Sequence, residues 1–273
     1  MRGPESSPST FGMPCGRARA AASAVRAWLA AGVGTAASLA FPWECPVCGA
    51  DDEGRASPFC DACRAELVDA AGRACERCAS PVGPYADVDG CRECRGRKFG
   101  FDGALALGPY QGPLRSVCLM LKREPEAWLG RWLAELLVEA RPELKALTGG
   151  PAGAVVAPVP LHWRRWWSRG YNQADELAGS LSAALGLRLA RPLKRVRDTE
   201  KLAGLGRVER AETMRGAFRV RRNGAETVRG RTVLLVDDVL TTGSTCGAAA
   251  RALKKAGAKR VVAVVVGRAS GRA

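Results

Sequence analysis

A chain of 273 residues is long enough for about two domains, one real hydrophobic core plus a smaller module. With 47% hydrophobic and 25% charged residues it is ordinary globular, which excludes collagen-like, coiled-coil and wholly disordered classes, and no run approaches the roughly 20 apolar residues of a membrane-spanning helix. Lys and Arg outnumber Asp and Glu by 42 to 27, a net charge of +15, so an anionic partner is expected: phosphate, nucleotide, nucleic acid or an acidic membrane.

The surplus is local. Residues 45–98 hold eight basic and ten acidic side chains, a net of −2, whereas residues 161–231 hold 17 against 7, a net of +10. The anion is expected in the second segment.

In chain order, residues 1–16 are rich in Pro, Ser and Gly and are expected to be disordered. Residues 17–40 pair basic residues with an apolar, small-residue run that superficially resembles a secretory signal. An N-terminal helix packing onto the rest is the preferred reading, because the cysteines that follow need a reducing compartment. Eight of the eleven cysteines form four C-x-x-C doublets, Cys45/Cys48, Cys60/Cys63, Cys75/Cys78 and Cys91/Cys94, separated by 11, 11 and 12 residues. Two doublets make a tetrahedral S₄ site, the arrangement zinc prefers in structural positions, so two structural Zn²⁺ ions are expected. The glycine of Cys45-Pro-Val-Cys48-Gly49 suits the sharp turn of such a knuckle. A disulfide framework or a dithiol redox pair are the competing readings, and four evenly spaced doublets fit neither. Three pairings of the doublets are possible; the sequential one minimises loop closure and is the expected one.

Beyond the cysteines, residues 104–110 read as a strand, and Trp128, Leu129, Trp132, Leu133, Leu136 and Leu137 as an amphipathic helix. Ala154-Val-Val-Ala-Pro-Val-Pro160 is a buried strand, and Leu177, Leu181 and Leu185 share one face of a helix over 175–185. Thr232-Val-Leu-Leu-Val236 is another strand, residues 247–256 a helix stopped by Gly257, and Val261-Val-Ala-Val-Val-Val266 a further strand. This alternation predicts an α/β fold, a parallel sheet flanked by helices.

The sharpest motif is Val233-Leu-Leu-Val-Asp-Asp-Val-Leu-Thr-Thr-Gly-Ser-Thr245. An apolar strand delivers Asp237 and Asp238 to its C-terminal end, where open α/β sheets bind ligands. Thr241, Thr242, Gly243, Ser244 and Thr245 then open a helix, so backbone N–H groups, hydroxyls and the helix dipole converge on one phosphate. Carboxylates beside a phosphate cradle make sense if the ligand also offers hydroxyls or a Mg²⁺ ion, as a ribose 5-phosphate does.

These residues resemble the phosphoribosyl-pyrophosphate (PRPP) motif of type I phosphoribosyltransferases, and residues 41–267 resemble the ComF family. The likeness is carried by the cysteine doublets, Tyr110-Gln-Gly-Pro-Leu-Arg115 leading to Leu121-Lys122, Pro158-Val-Pro160 with Arg169-Gly-Tyr-Asn-Gln173, and the PRPP motif. It implies a double zinc ribbon at 41–98 ahead of a phosphoribosyltransferase domain at 99–273, with residues 1–40 as the disordered start and N-terminal helix. It further implies a cytoplasmic protein, the inner face of the membrane included, linked to natural competence and DNA uptake. Residues 195–218 would be the hood over the site; they depart from the family pattern, with Leu202 and Thr213 where the family carries Gln and Asn.

The implied chemistry displaces pyrophosphate from ribose C1. Asp237 and Asp238 would hold the ribose hydroxyls directly or through Mg²⁺, and residues 241–245 the 5-phosphate. The loop after the strand at 154–160 would take pyrophosphate, with Arg169 and Gly170 in it and Arg164 and Arg165 as weaker contacts. Asn172 and Gln173 would orient the loop or touch ligand, and Lys122 is either a further anion contact or a solvated lysine. His162, Cys118 and Cys246 are expected to be structural. Trp163, Trp166 and Trp167, interleaved with Arg164 and Arg165, read either as a stacking platform for single-stranded DNA or as packing. Two functions of different class follow: an enzyme transferring phosphoribosyl to a nitrogen acceptor, or a non-catalytic DNA-uptake adaptor that senses PRPP and meets DNA or a helicase partner.

Overall fold

In the computed structural model the described residues are 44–51, 57–83, 91–122, 127–149, 153–198, 209 and 212–269. The expected disordered start and N-terminal helix lie outside them.

A five-stranded, wholly parallel sheet runs in the order β1-β7-β6-β2-β3. Its strands are β1 (Gly103–Pro109), β2 (Ala154–Pro158), β3 (Arg188–Leu189), β6 (Thr232–Leu240) and β7 (Arg260–Arg268). The short strands β4 (Leu193–Arg195) and β5 (Phe218–Val220) form a separate antiparallel pair. Parallel strands need helical crossovers, and these cover both faces. Strand alternation then divides the core. Val155, Ala157, Val233, Leu235, Val261 and Ala263 face α8 (Ser244–Lys255), which contributes Cys246, Ala249 and Leu253. Val156, Leu234, Val236, Val262 and Val264 face the opposite way, toward α2 (Gly112–Met120), α3 (Ala127–Ala140) and α6 (Gln173–Leu185).

Strands β6 and β7 extend past the apolar runs that announced them. Pairing of β2 with β6 stops at Pro158↔Val236, but β7 continues beside β6 through Asp237↔Val265 to Leu240↔Arg268. The two aspartates therefore sit inside β6, hydrogen-bonded on the β7 side and open on the β2 side. That opening is the crevice at the carboxyl ends of the strands.

The cysteine-rich segment is built into this core. Helix α1 (Asp61–Asp69) and the residue pair before it bury Phe59 and Leu67 in the same cluster as β7 and α3. Fully burying one leucine contributes about 1.5–3 kcal/mol, so Leu67 is a substantial anchor. Arg141, itself buried, donates to the carbonyls of Ala71 and Gly72 on one side and, at 2.6 Å, to that of Ala106 in β1 on the other. Gly108 packs against Ala70 so closely that an added Cβ would lie 2.9 Å from its carbonyl oxygen.

Candidate functional site

The eight doublet cysteines gather into two groups, Cys45/Cys48/Cys60/Cys63 and Cys75/Cys78/Cys91/Cys94, the sequential pairing. The first knuckle of each group is a one-bridge hairpin, Glu44↔Asp51 and Ala74↔Pro81. Gly49 takes a left-handed φ of 74° after the first, and Ala79 takes φ 57° at the matching place in the second. Four sulfurs about 2.3 Å from a zinc ion lie about 3.8 Å apart. The Sγ separations are 3.7 Å for Cys48–Cys60, 3.7 Å for Cys75–Cys94, 3.5 Å for Cys78–Cys91 and 3.8 Å for Cys91–Cys94, so both groups fit structural zinc. Burial alone would raise the Cys45 thiol, but backbone N–H groups of Cys60, Cys48 and Val47 outweigh it and lower the pKa to about 6. Burial and the charge of Cys78 push Cys94 up to about 12. A tetrathiolate site without its cation thus resists full ionisation.

At the open end of β6 the adjacent carboxylates diverge, as strand alternation requires. Asp237 faces α8, with its Oδ2 3.7 Å from Cys246 Sγ. Burial, then the charge of Asp238, pushes its pKa well above the usual carboxylate range. Asp238 faces the other side, where Lys122 Nζ lies 3.1 Å from Oδ2 and Gln173 Nε2 3.5 Å from it. Burial would lower the Lys122 pKa, but the charge of Asp238 and its hydrogen bond raise it overall. Lys122 is therefore not a solvated lysine. Among the described residues, the carbonyl oxygen Oε1 of the buried Gln173 has no hydrogen-bond partner.

Residues 241–245 turn from β6 into α8. Gly243 has φ 79° and forms the N-cap, and an added Cβ would lie 3.1 Å from the Phe99 ring, so glycine is required on both counts. Thr242 Oγ1 and Ser244 Oγ are 2.8 Å apart at the helix start. After β2, helix α5 (Trp163–Arg169) ends at Gly170 in the left-handed conformation, φ 75°. Asn172 caps α6, accepting from Ala174 N at 3.2 Å and donating to Val159 O at 3.2 Å, so it ties the loop to the strand end. Tyr171 Oη donates to Leu121 O at 2.8 Å, which holds the Lys122 segment against the same loop.

The tryptophans of α5 do not pack: Trp163, Trp166 and Trp167 are 60%, 53% and 77% exposed. Packing, the alternative to a stacking platform, does not cover them. Beneath it lies an open groove of about 620 Å³ lined by Trp163, Trp166, Trp167, Tyr171, Arg191 and Arg221 among others. His162 is buried at the start of this helix, Nδ1 lying 3.7 Å from Asp198 Oδ2, and Cys118 and Cys246 are buried, as expected.

Two residues that sequence reasoning missed stand behind the turn at 241–245. Buried Arg268 donates to Cys78 O at 2.8 Å, Leu240 O at 3.0 Å and Thr241 O at 2.7 Å. Arg97 donates to Thr242 O at 2.6 Å. A lone charge ending the apolar run of β7 was the available signal for Arg268.

Comparison with known proteins agrees with this architecture. Residues 36–95 match the double zinc ribbon domain family and residues 172–273 the phosphoribosyl transferase domain family. Competence protein F of Haemophilus influenzae is 34% identical over 68% of this chain and 81% of its own length. The chain belongs to the ComF family. Its ComF relatives include competence protein ComFC of Bacillus subtilis, 29% identical over 72% of this chain and 78% of that protein. DNA utilization protein YhgH of Salmonella typhi is 31% identical over 68% and 80%. Among the described residues of this ComF protein, no helix is long and apolar enough to cross a membrane.

Proposed function

We propose that this chain binds PRPP with Mg²⁺ at the open end of β6 and transfers the phosphoribosyl group to a nitrogen acceptor in the service of DNA uptake. One observation carries the reading: an acid pair, half-buried Asp237 and buried Asp238, immediately precedes a glycine-centred, hydroxyl-rich turn at a helix N-terminus. The 5-phosphate would take the turn at 241–245 and the ribose hydroxyls the aspartates, with the unpartnered Gln173 Oε1 as a further acceptor. Pyrophosphate would lie toward the C-terminal end of α5, at Arg169 and Gly170. Lys122 is near enough to Asp238 to exchange that carboxylate for a ligand oxygen as PRPP arrives. Among the described residues the open end of β6 offers two diverging carboxylates, Asp237 and Asp238, which would suit a hard cation that PRPP itself also coordinates. Mg²⁺ bound with PRPP would neutralise the charge that builds on the leaving pyrophosphate. The reading also implies a cytoplasmic protein, since the metabolite and the thiolates both require that compartment.

Calorimetry of the zinc-loaded chain with PRPP and Mg²⁺ tests it. Asp238→Ala removes a charged hydrogen-bond acceptor worth about 1.5–3 kcal/mol, so affinity falls roughly ten- to a hundredfold. No heat with the unaltered chain sinks the proposal. Pyrophosphate release with a panel of bases and nucleic acids then separates transfer from sensing.

The exposed tryptophans of α5 favour a second reading, an adaptor that stacks single-stranded DNA and hands it to a helicase partner, using PRPP as a signal. Arg164 lies 5.4 Å from the Trp163 ring, the pairing of cation and aromatic face that nucleotides meet in such sites. It predicts that oligonucleotide affinity falls steeply with salt.

A further inference from the structure

The two cysteine groups are not equivalent in what they touch. The first bears on α3 through the Arg64–Glu139 ion pair, and the segment after its helix bears on β1 through Arg141. The second bears on the turn at 241–245. Cys78 of one knuckle accepts from Arg268, whose guanidinium also holds the carbonyls of Leu240 and Thr241. Arg97 follows Cys94 of the other knuckle, its N–H donating to Cys94 O at 3.0 Å and its guanidinium to Glu93 O at 3.0 Å and Thr242 O at 2.6 Å. Phe99, 4.7 Å from that guanidinium, rests against Gly243, and Gly100 abuts the first turn of α8.

In a trans peptide the carbonyl and the next N–H point in opposite directions. Cis peptides are absent among the described residues. Holding the Thr241 and Thr242 carbonyls toward the cysteine group therefore turns the N–H groups of Thr242 and Gly243 away from it, and a pair of cations stands behind them. Both arginines depend on the second group: one reaches its first knuckle and the other its second. Without a cation at the centre, the thiolates repel and the knuckles lose their fixed spacing.

We propose that Arg97 and Arg268 are positioning residues that lock the 241–245 turn to the second cysteine group, so that metal in this group, and not in the first, sets the affinity for the sugar phosphate. The proposal rests on the PRPP reading above and adds a regulation to it: zinc loss from Cys75, Cys78, Cys91 and Cys94 releases the ligand. Coupling is reciprocal, so PRPP must also retain zinc in that group.

The test uses the full, zinc-loaded chain and three readouts: amide hydrogen exchange over 241–247, PRPP–Mg²⁺ affinity by calorimetry, and zinc release into a colorimetric chelator. Arg97→Gln should keep two zinc ions per chain, exchange at least tenfold faster over 241–247, and bind PRPP at least fivefold more weakly. PRPP should slow release of one zinc of the two, and Arg97→Gln should shrink that slowing. Arg64→Ala, which cuts the first group's tie to α3, should leave exchange over 241–247 unaltered. Unchanged exchange there in both Arg97→Gln and the chelator-stripped chain overturns the coupling. If the unaltered chain takes up no PRPP, the preceding reading fails instead, and the exchange comparison still decides the coupling.

Discussion

The ammonium of Lys122 stands 3.1 Å from a carboxylate oxygen of Asp238, so a cation from the end of α2 neutralises the acid that β6 carries into the site. Lys122→Gln leaves Asp238 without its charge partner and should cost about 1–3 kcal/mol in urea unfolding near pH 8. The folded-state pKa of Lys122 lies above its ordinary 10.5, so this stabilisation is complete below pH 10.5 and is lost as pH climbs through the folded value. The stability gap between the two proteins should close there. A gap of constant size contradicts the pairing.

Asp237 follows the same pH trend, but at neutral pH its contribution is unfavourable where that of Lys122 is favourable. Its pKa is raised in the fold, so its contribution is most favourable below the unfolded value of 3.8 and declines as pH rises through the folded value. Asp237→Asn should therefore melt at a higher temperature than the unaltered protein at neutral pH, with the difference vanishing in acid. The same variant should bind PRPP roughly ten- to a hundredfold more weakly. Greater stability with undiminished binding would remove Asp237 from the site.

Gly243→Ala places a side chain in the left-handed region and against Phe99. The backbone alone costs about 1–2 kcal/mol. Because the strain falls on the peptide that would face the 5-phosphate in the proposed complex, PRPP affinity should fall further than thermal stability does. Equal losses, measured by calorimetry and thermal melting, would make the glycine a packing residue only.

Trp167 is 77% exposed, so its removal should change stability by less than about 0.5 kcal/mol. If single-stranded DNA stacks on α5, Trp167→Ala should weaken oligonucleotide binding by about 1–3 kcal/mol, followed by fluorescence quenching of the remaining tryptophans. Undiminished binding would move the DNA surface elsewhere.

The doublet spacing announced both cysteine groups, because ligand pairs are local in sequence and knuckles close over few residues. The parallel sheet was legible in the apolar runs of β2, β6 and β7, which are buried on both faces. Less legible was the length of β6: Asp237 and Asp238 look like turn residues, and only the pairing with β7 keeps them in the strand. Lys122, Gln173 and Asp238 are far apart in sequence, so their convergence depends on how α2 and α6 meet β6. Arg97 and Arg268 passed unnoticed for a related reason. Their partners are backbone carbonyls, which leave no trace in side-chain patterns. The exposure of Trp163, Trp166 and Trp167 was equally hidden, since an aromatic triplet at helical spacing looks the same whether a neighbour covers it or not.

The seating of Phe59 and Leu67 among the residues that line the sheet has a practical outcome. A transferase segment expressed alone from residue 99 would present a raw apolar face where α1 belongs, and Arg141 would lose the carbonyls that satisfy it. The cysteine-rich segment and the α/β domain should therefore unfold in one cooperative transition, and a truncated fragment should aggregate rather than fold.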